Sequence, residues 1–318
     1  MEMAGLINYG VFMLTLAGIY AVLTLGLNLQ WGFTGQFNIG IVGFFAVGAY
    51  TSAILTTADS PNHLGGFEMP FLVGLAGAMI AAGILAVFVG FLTLNLRTDY
   101  LAIATIGIAE IVRLFLKNEE WLTNGVRGIS SIPKPLDDLA MNSAVTYLCV
   151  ILMALAVTYW ALHKGHHSPW GRVLRAIRES EPATMASGKN VLFFRLQAFV
   201  LGSMVMGLAG ALYAHFIGFI SPEAFNPEFV TFLVWVMLIA GGSANNKGAV
   251  LGAVVIWIIW QGTEFMTSQL PVEYTTQAGA LRIFLIGVLV QVILLWKPEG
   301  LLPERHPTMK AREIPDDE

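Results

Sequence analysis

The chain has 318 residues, of which 56% are hydrophobic and 12% charged, with a formal net charge of −4 and a mean hydropathy of +0.70. A soluble domain carries about 25% charged residues, so this composition excludes a soluble enzyme, and the acidic balance excludes a nucleic-acid-binding protein. The apolar residues fall in runs of about 20, the length that crosses a bilayer as a helix. The chain is therefore predicted to be an all-α polytopic membrane protein.

Nine apolar runs are predicted to span the membrane. They cover residues 8–30, 36–57, 70–94, 99–116, 143–163, 196–218, 228–242, 247–266 and 279–296. A transmembrane domain is thus predicted over 1–303, with a polar tail at 304–318. Lys and Arg concentrate in 164–195 and in the tail, which places both in the cytoplasm. Counting spans back puts the N-terminus outside, and the 117–142 connection, which mixes both signs of charge, is assigned to the outside as well.

The stretch from the end of the first run to the start of the second is unusually polar for its surroundings. It carries the amides and hydroxyl of Asn28, Gln30, Thr34, Gln36 and Asn38, interleaved with glycines. One interpretation is an unwound segment beside a cavity, where neutral amides hold a zwitterion without a large desolvation cost. The other is a tight cytoplasmic turn. Under the first interpretation Thr34, Gln36 and Asn38 line the substrate pathway.

Small residues recur along several of the predicted helices. The third run repeats them every four residues, and the sixth has two such stripes; the positions are Gly74, Ala78, Ala82, Ala86 and Gly90, then Gly210, Ala214 and Gly218, then Ser203, Gly207 and Ala211. Lipid gives no hydrophobic reward for helix association, so close approach of backbones at small residues must hold such a bundle together. These stripes predict helix-packing faces.

Glu110 and Arg113 are charged residues inside the fourth run. Their spacing of three places them on one helix face, where they can pair. A charge at mid-membrane costs about 2.5–3.5 kcal/mol, so the pair should face protein or a wet cavity. Two interpretations remain open: a structural pair that locks the bundle, or part of a polar substrate pathway.

Residues 164–195 are too polar to span and are predicted to form two short helices joined at a bend. Trp170, Val173, Leu174 and Ile177 make one apolar stripe. In the second helix Glu181 is expected to cap, Pro182 to occupy the first turn and Gly188 to end it. This segment, which we call the elbow, is either an interfacial helix or a docking site for a soluble partner.

Neither cofactor motif near the elbow is complete. The SGKN at 187–190 lacks the leading glycine and the Ser/Thr of a phosphate-binding loop, since Ala183 and Asn190 stand there. His163, His166 and His167 have no acidic partners nearby in sequence, which argues against a metal site. The chain is expected to hold no cofactor or metal, and no set of catalytic residues indicates an enzyme.

Six segments together resemble the permease subunits of bacterial ABC importers for branched-chain and other neutral amino acids, and most closely the M-type subunit. They are GLNLQWGFTGQFNIGIVGFFAVGAY at 26–50, RTDYLAIATIGIAEIVRLFL at 97–116, NGVRGISSIPKP at 124–135, GRVLRAIRESEPATMASGKNV at 171–191, ISPEAFNP at 220–227 and WKPEGLLP at 296–303. The resemblance covers nearly the whole chain.

The resemblance implies that the elbow couples the chain to a cytoplasmic ATPase. The residues that match the family pattern there are Arg175, Glu179, Glu181, Ala183 and Gly188, whereas Thr184 and Lys189 depart from it. It also implies an H-type permease partner, two ATPases that bind the ATP and Mg²⁺, a periplasmic amino-acid-binding protein, and a location in the bacterial inner membrane with the N-terminus periplasmic. Two alternatives stay open: a urea or short-amide importer permease of the same superfamily, and an ion-coupled secondary transporter.

Overall fold

The computed structural model describes residues 2–61, 63–135, 143–267 and 275–304. Over these residues the chain is helical, with one isolated β-bridge and no strand. The helices are α1 Glu2–Leu27, α2 Ile41–Thr56, α3 Phe71–Thr93, α4 Thr98–Asn118, α5 Glu120–Thr123, α6 Ser143–His166, α7 Pro169–Glu179, α8 Glu181–Ala186, α9 Val191–Ile217, α10 Pro227–Gly241, α11 Asn246–Thr267 and α12 Thr275–Trp296. The all-α prediction is confirmed.

Each predicted span coincides with one helix of 15 residues or more in the described parts of the chain. Four stretches are both long and apolar enough to cross a bilayer by themselves, namely Ile7–Gly32, Phe71–Thr93, Ala144–His166 and Val191–Ile217. The helices α2 and α10 are shorter, at 16 and 15 residues. Charged residues at both ends and in the middle make α4 less apolar. The number of nine crossings remains a prediction.

The connections predicted to lie outside meet at one end of the bundle. The backbone N–H of Leu64 donates to Trp121 O at 2.8 Å. Ile129 and Ile220 exchange backbone hydrogen bonds in an isolated bridge. The described part of the 117–142 connection therefore lies with the connections after α2 and α9, at the end predicted for it; residues 136–142 fall outside the described residues.

The opposite end gathers the α1–α2 connection, the elbow, the turn between α10 and α11, and the segment after α12. Leu302 N donates to Gly241 O at 2.9 Å. Ala244 N donates to the Asn28 side chain at 2.8 Å. This is the end predicted to be cytoplasmic. Of the predicted tail, Glu304 is described and packs against the elbow, while 305–318 lie outside the described residues.

Small residues hold the centre of the bundle, as predicted. The α3 stripe is buried throughout, and α9 packs closely on both α2 and α3. A Cβ atom on Gly48 would overlap Gly207 O, and one on Gly252 would overlap Met237 O. Gly218 is an exception to the predicted stripes: its φ of +76° makes it the left-handed residue that ends α9.

Candidate functional site

The chain stays helical beyond Leu27, where the regular α-helical hydrogen bonding of α1 ends. Residues Asn28–Gly32 form a π-helical turn, the backbone leaves the helix after Thr34, and α2 begins only at Ile41. A Cβ on Gly32 would overlap Asn28 Oδ1 and lie 2.5 Å from Ala244 N, so only glycine fits there. The predicted start of the second span at residue 36 was therefore wrong. Residues 35–40 form a non-helical connection, and π-turns inside helices often occur at functional sites.

Gln30 ties this connection to α9. Its Nε2 donates to Phe199 O at 2.8 Å and to Ser203 Oγ at 3.1 Å. Its Oε1 accepts a hydrogen bond from Asn38 Nδ2 at 2.7 Å. The backbone oxygen of Asn38 in turn accepts from the Trp235 indole at 3.1 Å. Both amide residues are fully buried, so the connection is a hydrogen-bonded layer inside the protein. The cavity interpretation and the turn interpretation of this segment both stay predictions.

The three predicted pathway residues of this connection lie together within it. Thr34 Oγ1 donates to Gln30 O, and Gln36 Nε2 donates to Arg195 O at 2.8 Å. Gln36 is 1% exposed, and its Oε1 has no hydrogen-bond partner in the described protein. A buried polar atom left without a partner costs about 1–3 kcal/mol, which indicates an acceptor that a bound molecule or water would satisfy. The pathway role itself stays a prediction.

Glu110 and Arg113 form the ion pair that their spacing predicts. Arg113 Nε and Nη2 contact the two carboxylate oxygens of Glu110 at 2.9 and 2.5 Å. Arg113 Nη1 also lies 3.6 Å from Glu223, which receives a hydrogen bond from Lys117 at 2.9 Å. That bond and the charge of Lys117 lower the pKa of the Glu223 carboxyl below its usual value. The side chain of Glu110 is 39% exposed, so this face of α4 is open in the isolated chain.

Because Arg113 has two carboxylate neighbours, either one alone can balance its charge. We expect the Glu110→Ala and Glu223→Ala substitutions each to have a modest effect on thermal stability and transport, and the double variant to lose more than the sum of both. Melting of the purified protein and uptake by cells measure this non-additivity. Additive losses, or a double variant that behaves like the unsubstituted protein, would show that Arg113 does not depend on the two carboxylates.

An apolar cavity of about 770 Å³ lies between α2, α3 and α4. Tyr50, Ile54, Leu85, Phe88 and Phe115 are among the residues that line it. The predicted pathway residues of α4 and of the α1–α2 connection lie outside this lining. Aliphatic and aromatic walls do not compensate the charges of a zwitterion, so this cavity is unsuited to an amino-acid substrate.

The elbow contains the helices α7 and α8. Pro169 and Pro182 stand in their first turns, and Ser168 and Ser180 are the capping residues. The predicted cap at Glu181 was wrong, because the Ser180 hydroxyl accepts the bond from the second helix instead. Gly188 follows α8 with φ +80°, as expected for a residue that ends a helix.

The elbow has one buried and one exposed side. Leu174 and Ile177 of the predicted stripe are buried against the bundle. The predicted coupling residues Glu179, Glu181, Ala183 and Gly188 are exposed, and Arg175 is half-buried. Thr184, which departs from the family pattern, points inward, and its hydroxyl donates to Ser180 O at 2.9 Å. This departure therefore lies off the exposed side.

With this geometry described, comparison with known proteins identifies the family. The family described as the branched-chain amino acid transport system permease component matches residues 10–294. The chain belongs to this family. The resemblance predicted from the six sequence segments is therefore confirmed.

Members of both permease types are similar to this chain. It is 31% identical to the high-affinity branched-chain amino acid transport system permease protein LivM of Escherichia coli K12, over 94% of this chain and 71% of the relative. It is 30% identical to a probable LivM of Methanocaldococcus jannaschii, over 93% of this chain and 94% of the relative. Identity to the LivH permease of Escherichia coli K12 is 22%, over 90% of this chain and 94% of the relative. The M-type assignment within the permease family follows because identity to the LivM proteins is higher than identity to LivH.

Sequence reasoning missed Arg178 of the elbow. Its Nη1 donates to Gly32 O at the π-helical turn, and its Nη2 contacts Glu304 Oε2 at 2.8 Å. The sequence could have indicated that Arg178 faces the bundle, because it lies four residues after Leu174 and directly after Ile177, at the edge of the apolar stripe. The identity of its partners needed the fold, since they are 146 and 126 residues away in sequence.

Proposed function

We propose that this permease is the M-type membrane subunit of an ATP-driven importer for branched-chain or other neutral amino acids. The observation that carries the proposal is the elbow: a polar, capped, two-helix segment with an exposed side, held at one end of an apolar bundle in a chain of this family. Such a segment offers a soluble protein a rigid surface, whereas the bundle offers it lipid-facing helices.

The proposed partners follow from the family and from the elbow. Two cytoplasmic ATPases bind ATP and Mg²⁺, and one of them contacts the exposed side of the elbow at Glu179, Glu181 and Ala183. A LivH-type subunit completes the permease pair, and a periplasmic binding protein delivers the substrate to the end where the α2–α3 and α4–α6 connections meet. This arrangement places the N-terminus in the periplasm and the C-terminus in the cytoplasm of a bacterial inner-membrane protein.

The open face of α4 supports a second permease subunit. Glu110 and Arg113 are partly exposed in the isolated chain, and exposure of such a pair to lipid is costly. A neighbouring subunit or a wet pathway between the two would remove that cost. We place the substrate route along this face, with Thr34, Gln36 and Asn38 at the inner end of the bundle.

The mechanism needs no chemistry in this chain. ATP binding to the partner subunits changes the contacts that they make with the elbow, and the elbow shifts the bundle between inward-open and outward-open states. A ligand shifts such an equilibrium only by its differential affinity for the two states, so the ATPase must bind the elbow more tightly in one of them. Selectivity lies mainly in the binding protein under this scheme.

Uptake by the reconstituted complex tests the proposal. The permease, a LivH-type subunit, both ATPases and the binding protein are placed in proteoliposomes and supplied with labelled leucine, proline or urea. We expect uptake of leucine that depends on ATP and on the binding protein. Urea uptake without leucine uptake would support the short-amide alternative, and uptake by the permease alone under an ion gradient would contradict the ABC assignment.

A further inference from the structure

Three parts of the chain meet at the guanidinium of Arg178 on the elbow. Through Nη1 it donates to Gly32 O, at the end of the π-helical turn of α1. Through Nη2 it pairs with Glu304, in the segment after α12. Arg178 is 21% exposed and Glu304 is 17% exposed, so this charged pair is mostly withdrawn from solvent. Hydrogen bonds between charged groups are stronger than those between neutral groups, so this pair is a strong polar link of the elbow to the bundle.

The π-helical turn is bonded to a second element as well. Asn28 Oδ1 accepts from Ala244 N at 2.8 Å, and Asn28 Nδ2 donates to Asn246 Oδ1 at 2.9 Å. Ala244 and Asn246 belong to the turn between α10 and α11. Asn28 therefore links the π-helical turn to the start of α11.

The segment after α12 is bonded to the end of α10 and to the same turn. Leu301 and Leu302 donate their backbone N–H groups to Ala240 O and Gly241 O, each at 2.9 Å. Asn245 Nδ2 contacts Leu302 O at 3.2 Å. The elbow, the end of α1, the α10–α11 turn and the C-terminal segment thus form one closed set of bonds. Arg178 makes the charged link of the elbow to this set, beside the apolar contacts of Leu174.

We propose that Arg178 is a positioning residue that transmits displacement of the elbow to the π-helical end of α1. This inference rests on the proposed function and names the contact through which ATPase-driven movement of the elbow reaches the bundle. The π-helical turn is suited to receive it, because its hydrogen-bond pattern is already shifted from that of the regular helix. Gln30 of this turn bonds to Asn38, so the displacement reaches the predicted pathway residues directly.

The test uses the reconstituted complex and reads transport against ATP hydrolysis. In Arg178→Ala the elbow keeps its buried apolar side but loses the contacts of Arg178 with Gly32 and with Glu304. We expect the ATPases to co-purify and hydrolyse ATP, while leucine transported per ATP falls about tenfold, within the range typical of coupling between two sites. The Arg178→Lys variant can still reach one acceptor, and it should recover part of this ratio. The Glu304→Gln variant keeps the Gly32 contact and should lose less than Arg178→Ala.

The exposed Lys247 provides a charge-matched control at the same end of the bundle. Lys247→Ala should transport as the unsubstituted permease does. The inference is overturned if Arg178→Ala keeps its transport per ATP, or if transport and hydrolysis fall in proportion. If Arg178→Ala fails to assemble, leucine transported per ATP is measured in Arg178→Lys and Glu304→Gln instead. A reduced ratio in these variants supports the inference, and an unchanged ratio overturns it. If the unsubstituted complex shows no ATP-driven uptake, the proposed function fails instead, which separates the two results.

Discussion

The Glu181→Arg variant is expected to abolish transport and to remain in the membrane at normal levels. Glu181 begins α8 on the exposed side of the elbow, and its carboxylate lies 3.4 Å from Arg195 at the start of α9. An arginine at position 181 would face Arg195 with like charge and would place a new cation on the surface proposed to contact the ATPase. Leucine uptake, membrane yield and co-purification of the ATPase measure the three parts of this expectation.

A charge reversal elsewhere at the same end serves as the control for Glu181→Arg. Glu299 is exposed and lies in the segment after α12. Glu299→Arg should keep its uptake and its ATPase. Normal uptake by Glu181→Arg would show that the exposed side of the elbow takes no part in coupling.

The Gly210→Ala variant is expected to lose folded protein. A Cβ at this position of α9 would overlap Phe45 O and lie 2.9 Å from Ala49 N, both backbone atoms of α2. Backbone atoms inside a helix cannot move aside singly, so the two helices must separate. Overpacking of this kind costs about 1–3 kcal/mol and occasionally more. The melting temperature and the yield of monodisperse protein in detergent report the loss.

Gly107 is the matched control for Gly210. It lies on the exposed face of α4, where a Cβ would meet no atom within 4 Å. Alanine is favoured over glycine inside a helix by about 1 kcal/mol, so Gly107→Ala should melt at an equal or higher temperature. Equal stability of the two alanine variants would show that α2 and α9 do not pack through their glycines.

Local patterns made much of the fold predictable. The apolar runs gave the positions of the long helices, because in a bilayer the backbone must satisfy its own hydrogen bonds. The small-residue stripes predicted the packing of α3 and α9, since only such residues allow the close approach seen at Gly210. The elbow's bend followed from its apolar stripe and from Pro182 and Gly188.

Features that depend on distant partners could not be predicted. The start of α2 was placed too early, because residues 36–40 are held outside the helix by the bond that Asn38 Nδ2 donates to Gln30 and the bond that the Trp235 indole donates to Asn38 O. The π-helical turn exists where Asn28 bonds to the α10–α11 turn, more than 200 residues away, at a separation of 216 for Ala244. The partners of Arg113 and Arg178 likewise required the tertiary structure.

Side-specific labelling of the elbow tests the central claim, that a cytoplasmic ATPase drives the bundle through this segment. Ser187 is exposed at the end of the elbow, and Cys149 is the only cysteine of the chain. A Ser187→Cys variant in a Cys149→Ser background is treated with a membrane-impermeant thiol reagent in right-side-out and in inverted vesicles. The account predicts labelling in inverted vesicles alone, with protection when the ATPases are bound. Labelling of right-side-out vesicles would contradict it.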